Sequence, residues 1–319
     1  MRKSLLLLGV AVAALASCTQ NEVVDIAESN VIKFDNAFVG KATKAVTAVT
    51  TENLQSFYVY GYEDNTQIFD NENVYLQNGL WAYDNIQKWN EDATAYAFAA
   101  YSNGGLNKGD GSLNGVTFTK DTPQLEIKDY VADGSSDLLA SISSTTLADD
   151  NIPVEFTFDH VLSMVKFTIK SGLGNTKNLK ISDLKVQESK IQNKAALTYT
   201  AGTPSWQFAS PAQYAILTKE TLTATTETAG EVEFTVIPQE VSGGLTVTFT
   251  ATITPEGEAA IEKPFTATIS AENAKWTAGN RYNYILTITG TDMGIIEFEK
   301  PVVDEWIDTN TDIDPTPGA

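Results

Sequence analysis

The chain has 319 residues, with 41 Asp and Glu against 21 Lys and Arg, a formal net charge of −20, one Cys and one His. At roughly 150 residues per domain the length suggests about two domains, and the acid excess argues against nucleic-acid binding, which needs a basic face. One Cys rules out a disulfide framework or Cys-rich zinc site, and one imidazole, His160, rules out multi-His metal sites and leaves little for acid–base chemistry near neutral pH.

Residues 1–17 read as a secretory signal peptide: Arg2 and Lys3 form the positive start, and Leu5 to Ala16 the apolar run. That run is too short to span a bilayer, and no later one is long enough. Leu15-Ala16-Ser17-Cys18 resembles the bacterial lipobox, in which the cysteine is acylated and becomes the first mature residue. Cys18 is therefore the expected lipidation site and attachment to the outer membrane, since several buried acyl chains anchor a protein stably. Residues 18–30 are polar and acidic and read as a tether.

From Val31 onward the pattern is strand after strand. Short runs alternate apolar and polar residues, among them Phe57 to Tyr62, Tyr96 to Tyr101, Val161 to Ile169, Leu245 to Ile253 and Tyr282 to Ile288. Turn signals such as Asn103-Gly104-Gly105 and Gly243-Gly244 separate them, and sustained helical periodicity is missing. The predicted class is all-β, with sandwiches as the ordinary solution for many short strands. A polar stretch from Thr145 to Asn151, ahead of Pro153, divides the chain into expected sandwiches at 31–152 and 153–291, with a C-terminal appendage and tail at 292–319. Between Lys166 and Lys194 seven Lys face only Asp183 and Glu188. They read either as a patch for an acidic neighbour or, preferred here, as outward Lys on edge strands that discourages stray pairing.

Chemistry-bearing motifs are sparse. Nucleotide-binding glycine fingerprints are absent, and Gly111-Ser112-Leu113-Asn114-Gly115 lacks the strand–helix context of a nucleophile elbow. His160, next to Asp159 at an alternating run, reads as a packing residue at the domain boundary rather than a base. No catalytic residue, metal ligand or cofactor is assigned. Asp110, Ser112, Asn114, Gly115 and Asp121 fall at EF-hand-like spacing, but Phe118 stands where a ligand is expected, and Gly/Asn/Asp clusters are ordinary turn chemistry.

The order of short motifs carries more. Val31-Ile32-Lys33-Phe34 is followed by Gly40-Lys41-Ala42-Thr43-Lys44-Ala45, Val59-Tyr60-Gly61-Tyr62 and Trp89 before Tyr96-Ala97-Phe98-Ala99-Ala100-Tyr101. Asp137-Leu138-Leu139-Ala140 and Phe158-Asp159-His160-Val161-Leu162-Ser163 come next, then Trp276 to Tyr282, Ile295-Ile296-Glu297-Phe298 and Trp306. This order resembles the fimbrillin-like family, the type V pilins of Gram-negative anaerobes, over nearly the whole mature chain. The resemblance implies two tandem transthyretin-like Greek-key β-sandwiches, export as an outer-membrane lipoprotein, and removal of the first strand by a surface protease. A strand from the C-terminal appendage of another copy or related fimbrial subunit then fills the groove, by edge-strand addition.

The residues to test that scheme are Ile32 and Phe34 as the displaced strand and Ile296, Phe298, Val302 and Trp306 as the donor. Both segments begin apolar–apolar–charged–Phe. Ile295 to Ile307 reads equally as a final strand pair of the protein's own second domain. The best-known maturation step of the family uses an arginine-directed protease, but no Arg lies between Arg2 and Arg281, so a cut would follow candidate sites Lys41 or Lys44, use another specificity, or not occur. Without a cut, the protein would be a lipid-retaining anchor or accessory subunit. A different class, a surface glycan-binding lipoprotein, would use Trp81, Trp89, Trp206, Trp276 and Trp306 to stack on sugars of a host or glycan surface. An exported hydrolase is the weakest alternative.

Overall fold

The computed structural model describes residues 30–39, 49–145, 152–174, 177–187, 189–225, 228–289, 295–298 and 300–305. They form twenty strands in four sheets, with no helix among the described residues, so the all-β expectation holds.

The first core lies between two sheets. One has seven strands in the order β1 (Phe34–Val39), β9 (Val154–His160), β8 (Leu138–Thr145), β5 (Tyr96–Asn103), β2 (Ser56–Glu63), β3 (Thr66–Gln77) and β4 (Leu80–Ala82). The other has four: β13 (Thr203–Phe208), β12 (Lys194–Thr200), β7 (Gln124–Val131) and β6 (Val116–Thr119). Alternation sets which side chains enter: in β6, Val116 and Phe118 are buried while Thr117 and Thr119 face out, the period of a half-buried strand. Phe57, Phe98 and Phe156 from the large sheet meet Leu125, Leu197 and Tyr199 from the small one in a single apolar cluster.

The second core repeats the plan. A five-stranded sheet runs β14 (Thr218–Ala224), β11 (Lys177–Val186), β16 (Leu245–Pro255), β17 (Ile261–Ile269) and β19 (Ile295–Glu297). Its four-stranded companion runs β15 (Gly230–Val236), β10 (Ser163–Ser171), β18 (Asn280–Ile288) and β20 (Val302–Glu305). The inner faces supply Phe167, Ile181, Val247, Ala267 and Tyr284.

The cores do not divide at 152/153. Val154, Phe156 and Phe158 of β9 belong to the first, and the β12–β13 hairpin returns to it by pairing β12 with β7. Alternation marks a strand and its buried face but not its neighbour. The hairpin goes where its apolar side chains, Leu197, Tyr199 and half-buried Trp206, complete a core that β6 and β7 alone leave open. The lysine-rich stretch also differs from expectation. Lys180 and Lys185 stand on β11, an interior strand, opposite Thr223 and Thr252 and Thr218 and Thr248, while Lys166 on interior β10 pairs with Glu231 at 2.7 Å. The edge-protection reading therefore fails for these residues.

The loop from Asp133 to Ser136 helps seat one unit on the other. The Thr235 N–H of β15 donates to the Gly134 carbonyl at 3.0 Å, and Gly134, at φ +83°, has Leu217 close above it. Asp133 organises the loop by accepting from the Ser135 and Ser136 N–H groups at 2.7 and 2.6 Å and from the Ser136 hydroxyl. Partial burial raises its carboxyl pKa, but these hydrogen bonds, the Ser136 hydroxyl foremost, outweigh burial and hold it below the ordinary value. A depressed native pKa gives stability that is present above the unfolded pKa and lost as pH falls through the folded one. Asp133→Ala is thus expected to cost about 1 kcal/mol at neutral pH, a hydrogen-bonding figure reduced for the site's exposure. Urea titrations of both proteins should converge as pH is lowered below the usual carboxylate range.

Candidate functional site

The first strand sits as a plug in the seven-stranded sheet. β1 lies at its edge and, among the described residues, pairs with β9 alone, in parallel: Phe34 is opposite Val154, and Val39 opposite Phe158. The ladder slips between Asp35 and Phe38. Ile32, Phe34, Ala37 and Val39 are buried, whereas Lys33 faces out, as the apolar–apolar–charged–Phe pattern requires. Phe34 stacks on Phe156 at 5.9 Å and meets Tyr83 and Phe69 edge-on at 5.5 Å, with Phe57 and Phe98 beyond. Backbone bonds tie the strand's start: Ile32 N–H to the Gln87 carbonyl at 3.0 Å, and the Tyr83 hydroxyl to the Ile32 carbonyl at 2.6 Å. Expected to start at Val31, the regular strand instead runs from Phe34 to Val39, with Val31 making an isolated bridge to Lys88.

β1 ends at Val39, and Val49 is the next residue described. The two ends lie close together, since the Val39 N–H donates to the Thr51 hydroxyl at 3.0 Å. Lys41 and Lys44 fall in the intervening segment, outside the described residues, as do Cys18 and Trp306. The Val49 N–H donates to Asp137 Oδ2 at 2.9 Å, and His160 Nδ1 lies 2.9 Å from the same oxygen. Both side chains are fully buried.

The C-terminal strands lie on the protein's own second unit. β19 adds to β17 in parallel, Ile296 opposite Ala267, and the Phe298 N–H donates to the Thr268 carbonyl at 2.9 Å. Phe298 is 3% exposed and packs on Phe167 at 5.5 Å and Tyr284 at 6.2 Å. β20 then pairs with β18 in the opposite sheet, Val302 against Asn283, leaving Val302 and Val303 half exposed. Of the two readings for this segment, the structure adopts the strand pair in its own domain. Both β1 and β19 are parallel edge strands, and Phe34 at the start of β1 and Phe298 just after β19 each enter an aromatic cluster.

Other candidates fall away on geometry. The described tryptophans belong to cores: Trp89 and Trp276 are buried, Trp206 donates from Nε1 to the Val161 carbonyl at 3.1 Å, and Trp81 packs on Phe57 at 4.8 Å. Trp81 and Trp206 are half-buried against the first core. The Asp110–Asp121 spacing does not gather ligands, because Val116–Thr119 is strand β6, which separates Asp121 from the preceding turn. Among the described residues no group of three or more His, Cys, Asp or Glu converges, and no helix is long and apolar enough to cross a membrane. The Asp137–His160 contact was not foreseen; nothing in the spacing of a turn Asp and a strand-end His 23 positions apart links them.

A family model described as fimbrillin-like matches residues 43–306. Among solved structures, a fimbrial protein from Bacteroides vulgatus aligns with a TM-score of 0.61 at 17% identity, covering 87% of this chain and 99% of that one. A candidate cell adhesion protein from Bacteroides ovatus aligns at 0.53 and 17% identity, covering 88% and 98%. At these identities the likeness is one of fold. No curated protein matches.

Proposed function

Because the chain belongs to the fimbrillin-like family, we propose that it is a non-enzymatic fimbrial subunit, exported as an outer-membrane lipoprotein through Cys18 and polymerised at the cell surface by strand exchange, in support of adhesion. Its two units are read as transthyretin-like sandwiches. One observation carries the reading: β1 is an edge strand with a one-sided parallel ladder and its own row of core residues, Ile32, Phe34, Ala37 and Val39. Such a strand can leave without breaking any pairing between the strands that remain. A strand of the same pattern can take its place, with main-chain bonds giving affinity and alternate side chains giving register.

In this scheme a cut after Lys41 or Lys44 frees the first strand, and the tail of a second copy, led by Ile296 and Phe298, enters beside β9. Such a head-to-tail contact is heterologous and propagates as a filament. The lack of any Arg between Arg2 and Arg281 favours a second reading, a lipid-retaining anchor that is never cut. Limited Lys-specific proteolysis followed by electron microscopy separates them. A stalk subunit is expected to show new N-termini at residues 42 or 45 by mass spectrometry, and filaments on the grid. Persistent monomer after complete cutting there would sink the polymerisation reading.

A further inference from the structure

We propose that Asp137 and His160 form the fixed anchor of the acceptor groove, holding Val49 and the end of β9 in place when the first strand departs. The inference rests on the strand-exchange reading and adds to it residues that decide what leaves and what stays. β9 is the wall against which an incoming strand must pair. It is joined to β8 by register pairs at one end alone, Leu139 to His160 and Ala140 to Asp159. Once β1 is gone, the rest of β9 has no ladder on either side among the described residues. His160, the last residue of β9, is clamped at that joint by Asp137, just before β8 begins.

The same carboxylate oxygen takes the N–H of Val49, which follows Lys41 and Lys44 in the chain. Asp137 and His160 are both buried, so these contacts are shielded from water and screened little by salt. A carboxylate that accepts from a backbone N–H makes the stronger, charge-assisted type of hydrogen bond, and His160 Nδ1 packs 2.9 Å from the same oxygen. The junction therefore holds Val49 and the end of β9 on the same carboxylate, so that they stay seated when the first strand goes. A cut subunit keeps an open groove with one wall in register instead of a frayed strand. Tyr130, Asp133 and Asp159 are the other titratable groups near this joint, and Asp159 is occupied by the Tyr199 hydroxyl at 2.5 Å.

The test uses the full chain and its Asp137→Ala, His160→Leu and Asp137→Asn variants, each cut by limited Lys-specific proteolysis to N-termini at 42 or 45. Capture of a synthetic peptide of residues 291–309 is timed, and amide exchange is followed at Val49 and along Val154–His160. Asp137→Ala and His160→Leu are expected to slow capture by roughly tenfold or more, the scale of one charge-assisted bond, with fast exchange at Val49 and β9. Asp137→Asn keeps an acceptor for Val49 and should recover part of the rate. A general packing role would instead lower the melting temperature of uncut and cut protein alike and leave capture per folded molecule unchanged, which would overturn the proposal. If the wild-type cut protein captures no peptide, strand exchange itself fails. The anchor is then judged by exchange alone, upheld if protection at Val49 and β9 is lost in the variants and rejected if it persists. Should Asp137→Ala not fold, His160→Leu and Asp137→Asn decide.

Discussion

Phe34→Ala is expected to lower the stability of the uncut chain's first unit by about 3–5 kcal/mol, the range for truncating a buried phenylalanine in a core that cannot collapse. The setting favours the upper half. The ring stacks on Phe156 and is enclosed by Tyr83, Phe69, Phe57 and Phe98, and the last three stand on β3, β2 and β5, which pair elsewhere and cannot move in to fill the void. Against a domain stability of about 5–15 kcal/mol this is a large share. Lys33→Ala, one position away and facing solvent, should stay within about 0.5 kcal/mol. Urea unfolding followed by tryptophan fluorescence measures both, since Trp81 and Trp89 pack in the first core and Trp276 reports on the second.

The same substitution also reads out the strand's fate. If the first strand is discarded on assembly, filaments built from Phe34→Ala subunits should be as stable as wild-type ones, although their uncut precursors are not. Filaments that inherit the full loss would mean that β1 never left.

The extent to which these features were legible in the sequence follows from what local pattern encodes. Alternation placed Ile32 and Phe34 inward and Lys33 outward, and the structure agrees, because a period of two fixes the face of a strand whatever its partner. It could not say that β1 would lie parallel to β9, more than a hundred residues on, since parallel pairing has no hairpin turn to announce it. The β12–β13 hairpin, with Ala201 and Gly202 both at positive φ, is local and readable as a hairpin, but its attachment to β7 is not. The lysines of β11 misled for a related reason: charge on an outward face is compatible with an interior strand when the sheet's outer surface is wet. Asp137 and His160 were each visible, but as unrelated residues, because only the fold brings the β8 turn to the end of β9.

Deleting residues 295–319 is expected to leave the first unit untouched and to weaken the second by about 2–4 kcal/mol without unfolding it, most of that from one buried phenylalanine. β19 contributes three register pairs and β20 four, both at sheet edges, so the strands between them keep their ladders. Phe298 is the exception, because its removal uncovers Phe167 and Tyr284. Tyr284 remains fixed by Trp276 Nε1, which donates to its hydroxyl at 2.9 Å, and by its own donation to the Asn273 carbonyl; burial pushes its pKa up to about 12. Phe298→Ala should therefore reproduce most of the loss, and Val302→Ala with Val303→Ala, both half exposed, should add less than about 1 kcal/mol. Complete unfolding of the second unit on deletion would show instead that the tail is essential to that core and unavailable to a neighbour. A modest loss has a direct consequence for assembly. At home Phe298 meets Phe167 and Tyr284, whereas the groove left by Phe34 offers Phe156, Tyr83, Phe69, Phe57 and Phe98. Aromatic pairs are worth about 0.5–1.5 kcal/mol each beyond area, so under the proposed strand exchange the richer cluster would supply a downhill direction for the tail.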